Sequence, residues 1–373
     1  MSHTPEPDDD YDLDLDAGAP PQPVFHVEQA LLGALLLDPR RLGDLTGITA
    51  DSFSTAAHTA VFAAISTLPP PAPDEHVKNA TWLDLVLTTA RQQARGLTAS
   101  DLHALVQVCP WPRHAPAYAR MDEAEHARRR LAAAADRLAH TVHDASLPDP
   151  VQTVLTEADA LATVVDDIAA RFPPRAGALP RTPAPPPPAA LGYMEAIEEE
   201  RLLLATATAY PAGIEAVPWL LPGDLVVPLH AGLWQCLTAL ARRQEPVDPV
   251  TVLWEAQQRG LLDDGSDPGE VLQMLAQPAA SVEHWAERAL QRSLLTTADH
   301  TAQRITACAG DLTNTPFQLV VGTRRALADI GAVRTRWQHA TTPVPPPRPA
   351  PTTRAGPPTT TVAHTARPVR AAR

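Results

Sequence analysis

VEQALLGALLLDPRRLGDLTGITADSFSTAAHTAVFAAI, residues 27–65, sets the fold class of this chain. Near its start, apolar residues recur at the i, i+3, i+4, i+7 and i+8 positions of a helix. These residues are Val27, Ala30, Leu31, Ala34 and Leu35. The spacing predicts a helix with a single apolar face, which ends at Asp38 and Pro39 because proline cannot continue a helix.

The same stretch is present twice in the chain. Shifting the second half by 172 residues aligns a run of matching positions without a gap. The matched pairs include Glu28 with Glu200, Leu31 with Leu203, His58 with His230, Phe62 with Trp234, and Leu68 with Leu240. Further on, the offset shifts slightly, as a different loop length produces, and Tyr118 faces Trp285. The repeat indicates one duplicated module.

The remainder of each copy carries helical signals as well. In the second copy, Asp248 and Pro249 are typical of a helix start and Gly260 of a helix end, which predicts a helix near 249–259. Long helical stretches at about 116–145 and 281–309 are each followed by a turn and a further helix. Such an α-hairpin has an apolar face that needs a partner. Since only 4% of residues are aromatic, we predict an all-α protein.

Composition divides the chain into five segments. Residues 1–16 hold seven acidic groups without Lys or Arg, and PRTPAPPPP (180–188) is typical of a stiff polyproline spacer. The predicted segments are a disordered acidic tail (1–23), a helical domain (24–174), a Pro-rich linker (175–190), a second helical domain (191–340) and a disordered Pro/Arg-rich tail (341–373).

Residues 27–65 resemble the opening of the N-terminal domain of DnaB-type replicative helicases. RRQEPVDPVTVLWEAQQRGLLDD (242–264) is similar to that family's Pro-Val-Asp helix, and residues 101–131 and 270–295 resemble the helices that close its globular part. The resemblance implies two tandem domains, each a small helical globule followed by an α-hairpin. In the family this domain forms a collar, pairs through its hairpin and offers a surface to primase and helicase loaders.

The family's ATPase motor needs a phosphate-binding G-x-x-x-x-G-K-[ST] motif. Lys78 is the only lysine of the chain, and no glycine is near it. We therefore expect no enzymatic activity, no catalytic residues and no cofactor. Three widely separated cysteines and the lack of an apolar signal segment predict a cytoplasmic protein without a membrane span, with nucleoid association as a further option.

The two hairpins are predicted to pack on each other within one chain, which would make the protein a monomer with an intramolecular pseudo-dimer. The expected pairing residues are Tyr118, Met121, Leu131, Leu138 and Val142 in copy 1, and Trp285, Leu294, Leu295 and Ile305 in copy 2. Tethering by the linker raises the effective concentration of one hairpin at the other, so the contact need not be strong.

Other polar residues have a structural interpretation beside a functional one. His58 and His230 are interpreted as polar residues in the first turn of core helices rather than as a pH-sensitive contact. His140 and His143 have a spacing that a metal could use, but we predict no metal site. Arg128-Arg129-Arg130 is interpreted as a solvated helix face rather than a nucleic-acid contact. Five tryptophans are interpreted as packing residues: Trp111, Trp219, Trp234, Trp254 and Trp285.

A net charge of −13 argues against a polyanion-binding chain as a whole, yet seven arginines follow Asp329 without an acid. They are possible nucleic-acid contacts: Arg334, Arg336, Arg348, Arg354, Arg367, Arg370 and Arg373. The favoured function is a non-catalytic protein that binds a replicative helicase, primase or helicase loader. The alternatives are a nucleic-acid-binding regulator that acts through this tail, and a motor-less helicase subunit that acts in trans.

Overall fold

The computed structural model describes residues 22–173, 177–262 and 267–342. Over these residues the regular structure is helical and no strand occurs, so the predicted all-α class is confirmed. Residues 1–21 of the predicted acidic tail and residues 343–373 of the predicted C-terminal tail lie outside the described residues. The same holds for Arg348, Arg354, Arg367, Arg370 and Arg373.

Copy 1 begins with a group of short helices, which we call globule 1, and ends with two long ones, which we call hairpin 1. Globule 1 contains α1 (Pro23–Leu37), α2 (Ala56–Thr67), α3 (Pro73–Lys78), α4 (Thr81–Ala90) and α5 (Ala99–Val108). Hairpin 1 consists of α6 (Ala115–His143) and α7 (Pro150–Arg171). Short 3-10 turns lie at Pro39–Asp44, Ala50–Ser52 and Pro112–His114.

Copy 2 repeats this layout. Globule 2 contains α8 (Tyr193–Ala209), α9 (Ala212–Ala216), α10 (Pro228–Arg243), α11 (Pro249–Gln258) and α12 (Pro268–Leu275), with a 3-10 turn at Pro222–Asp224. Hairpin 2 consists of α13 (Val282–Gly310) and α14 (Pro316–Thr341). The long helices α6 and α13 each have 29 residues, so the duplication preserves the length of the element that leads each hairpin.

Helix ends follow from local side chains. Thr55 caps α2 by accepting a hydrogen bond from the amide of His58, and Asp248 caps α11 by accepting from the amides of Val250 and Thr251. Gly260 follows α11 with a φ of +67°, the left-handed conformation that ends many helices. The helix predicted near 249–259 is therefore confirmed as α11.

Helix α1 differs from its prediction. Every residue from Ala30 to Leu36 is buried, so the helix has no solvent face in this part and the expected single apolar face is wrong. The reason is that α2, α5 and α6 all pack around it. A side chain at Gly33 would lie 2.1 Å from the carbonyl oxygen of Leu105, so glycine allows the close approach of α1 to α5.

Three apolar cores result from this layout. One lies in globule 1, around Leu31 and Phe62, and its counterpart lies in globule 2, around Leu203 and Trp234. The third is built jointly by α6, α7, α13 and α14. The described residues from Gln22 to Ala340 form one compact unit, because this third core joins the two copies. Among the described helices, none has the length and apolar character needed to cross a membrane.

Candidate interaction site: the paired hairpins

The third core is the contact between the two hairpins. Helix α6 packs along α13 in the opposite direction. Arg128 in the middle of α6 bonds Ala309 at the end of α13, whereas His143 at the end of α6 lies 3.2 Å from Asp299 in the middle of α13. Six of the nine expected pairing residues lie in or against this core: Leu131, Leu138, Val142, Leu294, Leu295 and Ile305. The structure thus brings together one apolar face from each copy.

Three expected pairing residues lie elsewhere. Tyr118 packs against the core of globule 1 and Trp285 against that of globule 2, because both sit in the first turn of their long helix, where it still borders the globule. Met121 is 55% exposed. It lies on the solvent side of α6, so its place in the pairing interface is corrected.

Arg128 joins the two copies through hydrogen bonds. Its guanidinium donates to the carbonyl oxygens of Ala309, Asp311 and Asn314, at 2.8, 2.9 and 2.6 Å. These carbonyls lie at and just beyond the end of α13, where a helix leaves its last carbonyl groups unpaired. Arg128 is buried, so neither a solvated face nor a nucleic-acid contact describes it.

The neighbouring arginines also bind within the chain. Arg129 donates to the carbonyl oxygen of Ser52, and Arg130 donates to Asp167 of α7 at 3.0 Å. Arg129 and Arg130 both keep about a third of their side-chain surface exposed. The run of three arginines therefore ties α6 to its surroundings on three sides, which the sequence interpretation did not foresee.

Ion pairs line the outer edge of the four long helices. Asp159 and Asp166 of α7 pair with Arg334 and Arg324 of α14, at 2.5 and 2.7 Å. Exposed ion pairs of this kind add little to stability. Arg334 was a candidate nucleic-acid contact, and the structure places it opposite a carboxylate of copy 1.

Arg336 is paired as well. It donates to both carboxylate oxygens of Asp224 and to the carbonyl oxygen of Trp219, and Asp224 is buried. A bidentate pair of this kind is stronger than a surface ion pair. It fixes hairpin 2 to globule 2, so the two arginines of α14 that follow Asp329 both have carboxylate partners in the structure.

The Pro-rich linker lies along hairpin 2. The amide of Arg181 donates to the side-chain oxygen of Asn314 at 2.8 Å, and the Asn314 amide group donates to Thr182 at 2.6 Å. The ring of Pro180 lies so close to Gly322 that a side chain there would meet it at 2.6 Å. The described part of the linker is thus held by contacts and is not a free spacer. Buried Asn314 was missed by the sequence analysis because asparagine in a turn carries no distinctive signal.

The duplicated Glu and His residues form the same contact in both copies. His58 Nδ1 lies 2.7 Å from Glu28, and His230 Nδ1 lies 2.8 Å from Glu200. A backbone hydrogen bond to each carboxylate is repeated as well. The amide of Ser54 donates to Glu28, and the amide of Val226, again 172 residues further on, donates to Glu200. All four titratable side chains are buried, and each His lies in the first turn of its helix. The pair joins α1 to α2 and α8 to α10.

Asp122 of α6 is buried beside Glu28, and neither of its carboxylate oxygens has a hydrogen-bond partner among the described residues. Burial, together with the Glu28 charge, raises the pKa of Asp122 to about 7 from its ordinary value of 3.8. The folded protein therefore keeps a proton on Asp122 between about pH 4 and pH 7, whereas the unfolded chain releases it. Raising the pH through this window lowers the free energy of unfolding.

We predict that Asp122→Asn stabilises the protein at pH 8 by about 2–4 kcal/mol and changes its stability little at pH 4, because the variant has no proton to lose. Urea unfolding at both pH values measures this. Asp136→Asn, at an exposed position of the same helix, serves as the control and should leave the pH dependence unchanged. Equal pH dependence of the wild type and Asp122→Asn would contradict the prediction.

The remaining candidates are brought to no common site. His140 is exposed and bonds the carbonyl oxygen of Asp136, and no group of metal-binding side chains occurs among the described residues. Trp234 is buried, but Trp111 and Trp254 are more than half exposed, so their interpretation as packing residues is wrong. Trp111 instead lies under the guanidinium of Arg113, 4.8 Å from the ring centre.

A family model described as the DnaB-like helicase N terminal domain matches residues 19–121 and 194–290. Each stretch covers one globule and the first part of the long helix that follows it, and together they account for more than half of the 373 residues. Comparisons with curated proteins and with solved structures gave no significant match.

Proposed function

Because the chain belongs to the family of the DnaB-like helicase N-terminal domain in two separate stretches, we propose that it is a non-catalytic binding protein of the replication machinery. The domain is a replication-associated interaction module. Our proposal is that this chain uses it to bind a replicative helicase, a primase or a helicase loader in the cytoplasm, including at the nucleoid.

The pairing of the two hairpins carries the proposal. Leu138 and Leu294 are fully buried in the core that the hairpins share. A hairpin that is paired within its own chain needs no second subunit to cover its apolar face. The chain is therefore proposed to be a monomer in which the outer faces of both globules stay available for partners. Binding of this kind requires no catalytic group.

Binding to purified replication proteins of the same cell tests the proposal. The full chain would be immobilised, and the helicase, primase and loader would be titrated separately, with light scattering to determine the mass of the free chain. We expect one of them to bind with a Kd of about 1–10 μM or tighter, and a mass of one chain. If none of the three proteins binds, the proposed binding function fails. If the mass is that of two chains, the proposed monomer fails.

A second candidate function rests on the five arginines beyond residue 342. Arg334 and Arg336 are paired with Asp159 and Asp224, whereas residues 343–373 contain five arginines and no acid. These charges are suited to phosphates. The candidate is a nucleic-acid-binding regulator that acts through this segment, and the family domain alone does not favour it over the first function.

For this second function we predict that a chain ending at Thr342 loses DNA binding. In the full chain, the logarithm of the binding constant should fall with the logarithm of salt concentration with a slope of about −4.5, as expected for five phosphate contacts on duplex DNA. Fluorescence anisotropy with a labelled duplex measures both. A variant with all five arginines replaced by Gln is the matched control and should behave as the shortened chain does. DNA binding that persists in both the shortened chain and the Gln variant would exclude residues 343–373 as the binding site.

A further inference from the structure

Hairpin 2 carries a surface that holds linker residues 179–185, which we call the linker surface. The amide group of Gln318 donates to the carbonyl oxygen of Leu179 at 2.8 Å, at one end of this stretch. The ring of His300 donates to the carbonyl oxygen of Pro185 at 3.1 Å, at the other end. The linker surface consists of His300, Asp311, Asn314, Gln318 and Gly322.

The turn between α13 and α14 binds the linker and copy 1 at the same time. The side chain of Asp311 accepts from the Thr182 hydroxyl at 2.6 Å, and its carbonyl oxygen accepts from Arg128 at 2.9 Å. Asn314 is used in the same way, since its side chain binds the linker and its carbonyl oxygen accepts from Arg128. Groups that share one hydrogen-bond network are energetically coupled. A docked linker therefore supports the backbone conformation that Arg128 binds.

Hairpin 1 does not repeat the residues of the linker surface. Aligning the first residues of α7 and α14 places Pro148 opposite Asn314 and Thr156 opposite Gly322. Proline offers no side-chain hydrogen bond, and any side chain at the glycine position would meet the linker. The residues that hold the linker are thus specific to copy 2.

The two hairpins could pair in two ways, within one chain or between two chains that exchange them, and the apolar core would be the same. The connection between the copies runs from Phe172 to Leu191, and both of these residues pack against the shared core. Fully extended, this connection would span up to about 60 Å. A free connection gives an effective concentration in the millimolar range, so exchange would compete with pairing inside the chain when the protein is concentrated.

We propose that the linker is a strap whose docking on the linker surface confines the hairpin pairing to one chain. Docking leaves residues 173–178 and 186–190 to connect the docked stretch to Phe172 and Leu191. The rings of Phe172 and Phe317 lie edge to face, 6.0 Å apart, so α7 ends beside the start of α14, where Leu179 is bound. Exchange between chains must first release the strap. The inference rests on the monomer of the proposed function and not on which partner the chain binds.

Gly322→Ala tests the docking. The added methyl group would lie 2.6 Å from the Pro180 ring, so the strap must move, whereas alanine favours the helix itself. Trypsin cleavage after Arg181 reports the release, because a bound segment is protected from proteolysis. We expect cleavage at least about tenfold faster than in the wild type. Gly331→Ala, on the same helix with no atom within 4 Å of the new methyl group, is the matched control and should be cleaved as the wild type is.

Molecular mass tests whether the strap selects the pairing. Each protein would be unfolded in urea and refolded at a chain concentration of about 1 mM, similar to the effective concentration that a free linker provides. By light scattering, the wild type and Gly331→Ala should have the mass of one chain. Gly322→Ala should have at least about a third of its chains in particles of two.

A second pair of variants leaves both hairpins unchanged. Pro180→Gly combined with Thr182→Ala removes contacts of the strap and should also form particles of two chains. Pro186→Gly combined with Pro187→Ala introduces the same two residues at exposed linker positions and should remain a single chain.

Two results would overturn the strap and leave the monomer intact. One is equally fast cleavage after Arg181 in the wild type and in Gly322→Ala. The other is the mass of one chain for both Gly322→Ala and the variant that combines Pro180→Gly with Thr182→Ala. Particles of two chains in the wild type would instead overturn the monomer and the strap together.

Discussion

Leu138→Asp is expected to lower the free energy of unfolding by about 5 kcal/mol, enough to separate the two hairpins. Leu138 has no exposed surface and lies in the core shared by α6, α7, α13 and α14. The change removes apolar contacts and buries a charge without a partner, which are two of the largest destabilising effects known for single substitutions. Thermal unfolding followed by circular dichroism measures the loss.

Met121→Asp is the matched control for Leu138→Asp. It introduces the same charge on the same helix, but at a position that is 55% exposed. A change within about 0.5 kcal/mol is expected there. If Leu138→Asp melts at the same temperature as the wild type, the joint core does not hold the two copies together.

Arg128→Met is expected to destabilise the protein by about 3 kcal/mol. Methionine fills a similar volume but leaves the carbonyl oxygens of Ala309, Asp311 and Asn314 without the donor they now have. Hydrogen bonds from a charged donor contribute more than neutral ones, and buried acceptors left unpaired add a further penalty. Urea unfolding of the variant measures the difference from the wild type.

Arg130→Met provides the comparison for Arg128→Met. Arg130 lies two positions along α6 and pairs with an exposed carboxylate, Asp167, so its loss should cost less than about 1 kcal/mol. Equal losses in the free energy of unfolding at the two positions would mean that the hydrogen bonds from Arg128 to the end of α13 stabilise the protein no more than an exposed ion pair does.

The sequence predicted the elements that depend on local patterns. The repeat at an offset of 172 residues, the cap at Asp248 and the long helices α6 and α13 are all visible as spacing or as single-residue preferences. The six pairing residues found in the shared core follow from helical periodicity. Periodicity misplaced Met121. Helix α6 borders the core of globule 1 at its start and the shared core further on, so its buried face changes along its length and spacing alone does not locate it.

Contacts between residues far apart in the sequence could not be predicted. Arg128 and Asn314 are separated by 186 positions, and nothing in a run of three arginines tells which of them is buried. The fold was needed to show that His58 contacts Glu28 and His230 contacts Glu200. The repetition of both residues at one constant offset pointed to a shared role. The buried carboxyl group of Asp122 carries no sequence signal, since its effect arises from the side chains packed around it.

At Arg128, the contact between the two hairpins differs from a contact between two identical subunits. The position equivalent to Arg128 in copy 2 is Leu295, by the offset that aligns Tyr118 with Trp285, so the hydrogen bonds to the end of α13 have no counterpart at the end of α6. In a symmetric homodimer every mutation is made twice and must be tolerated on both sides of the axis. Two copies within one chain are free of that constraint. Each half of this chain can acquire its own substitutions, so the two copies can diverge in sequence and in surface while they stay within one molecule.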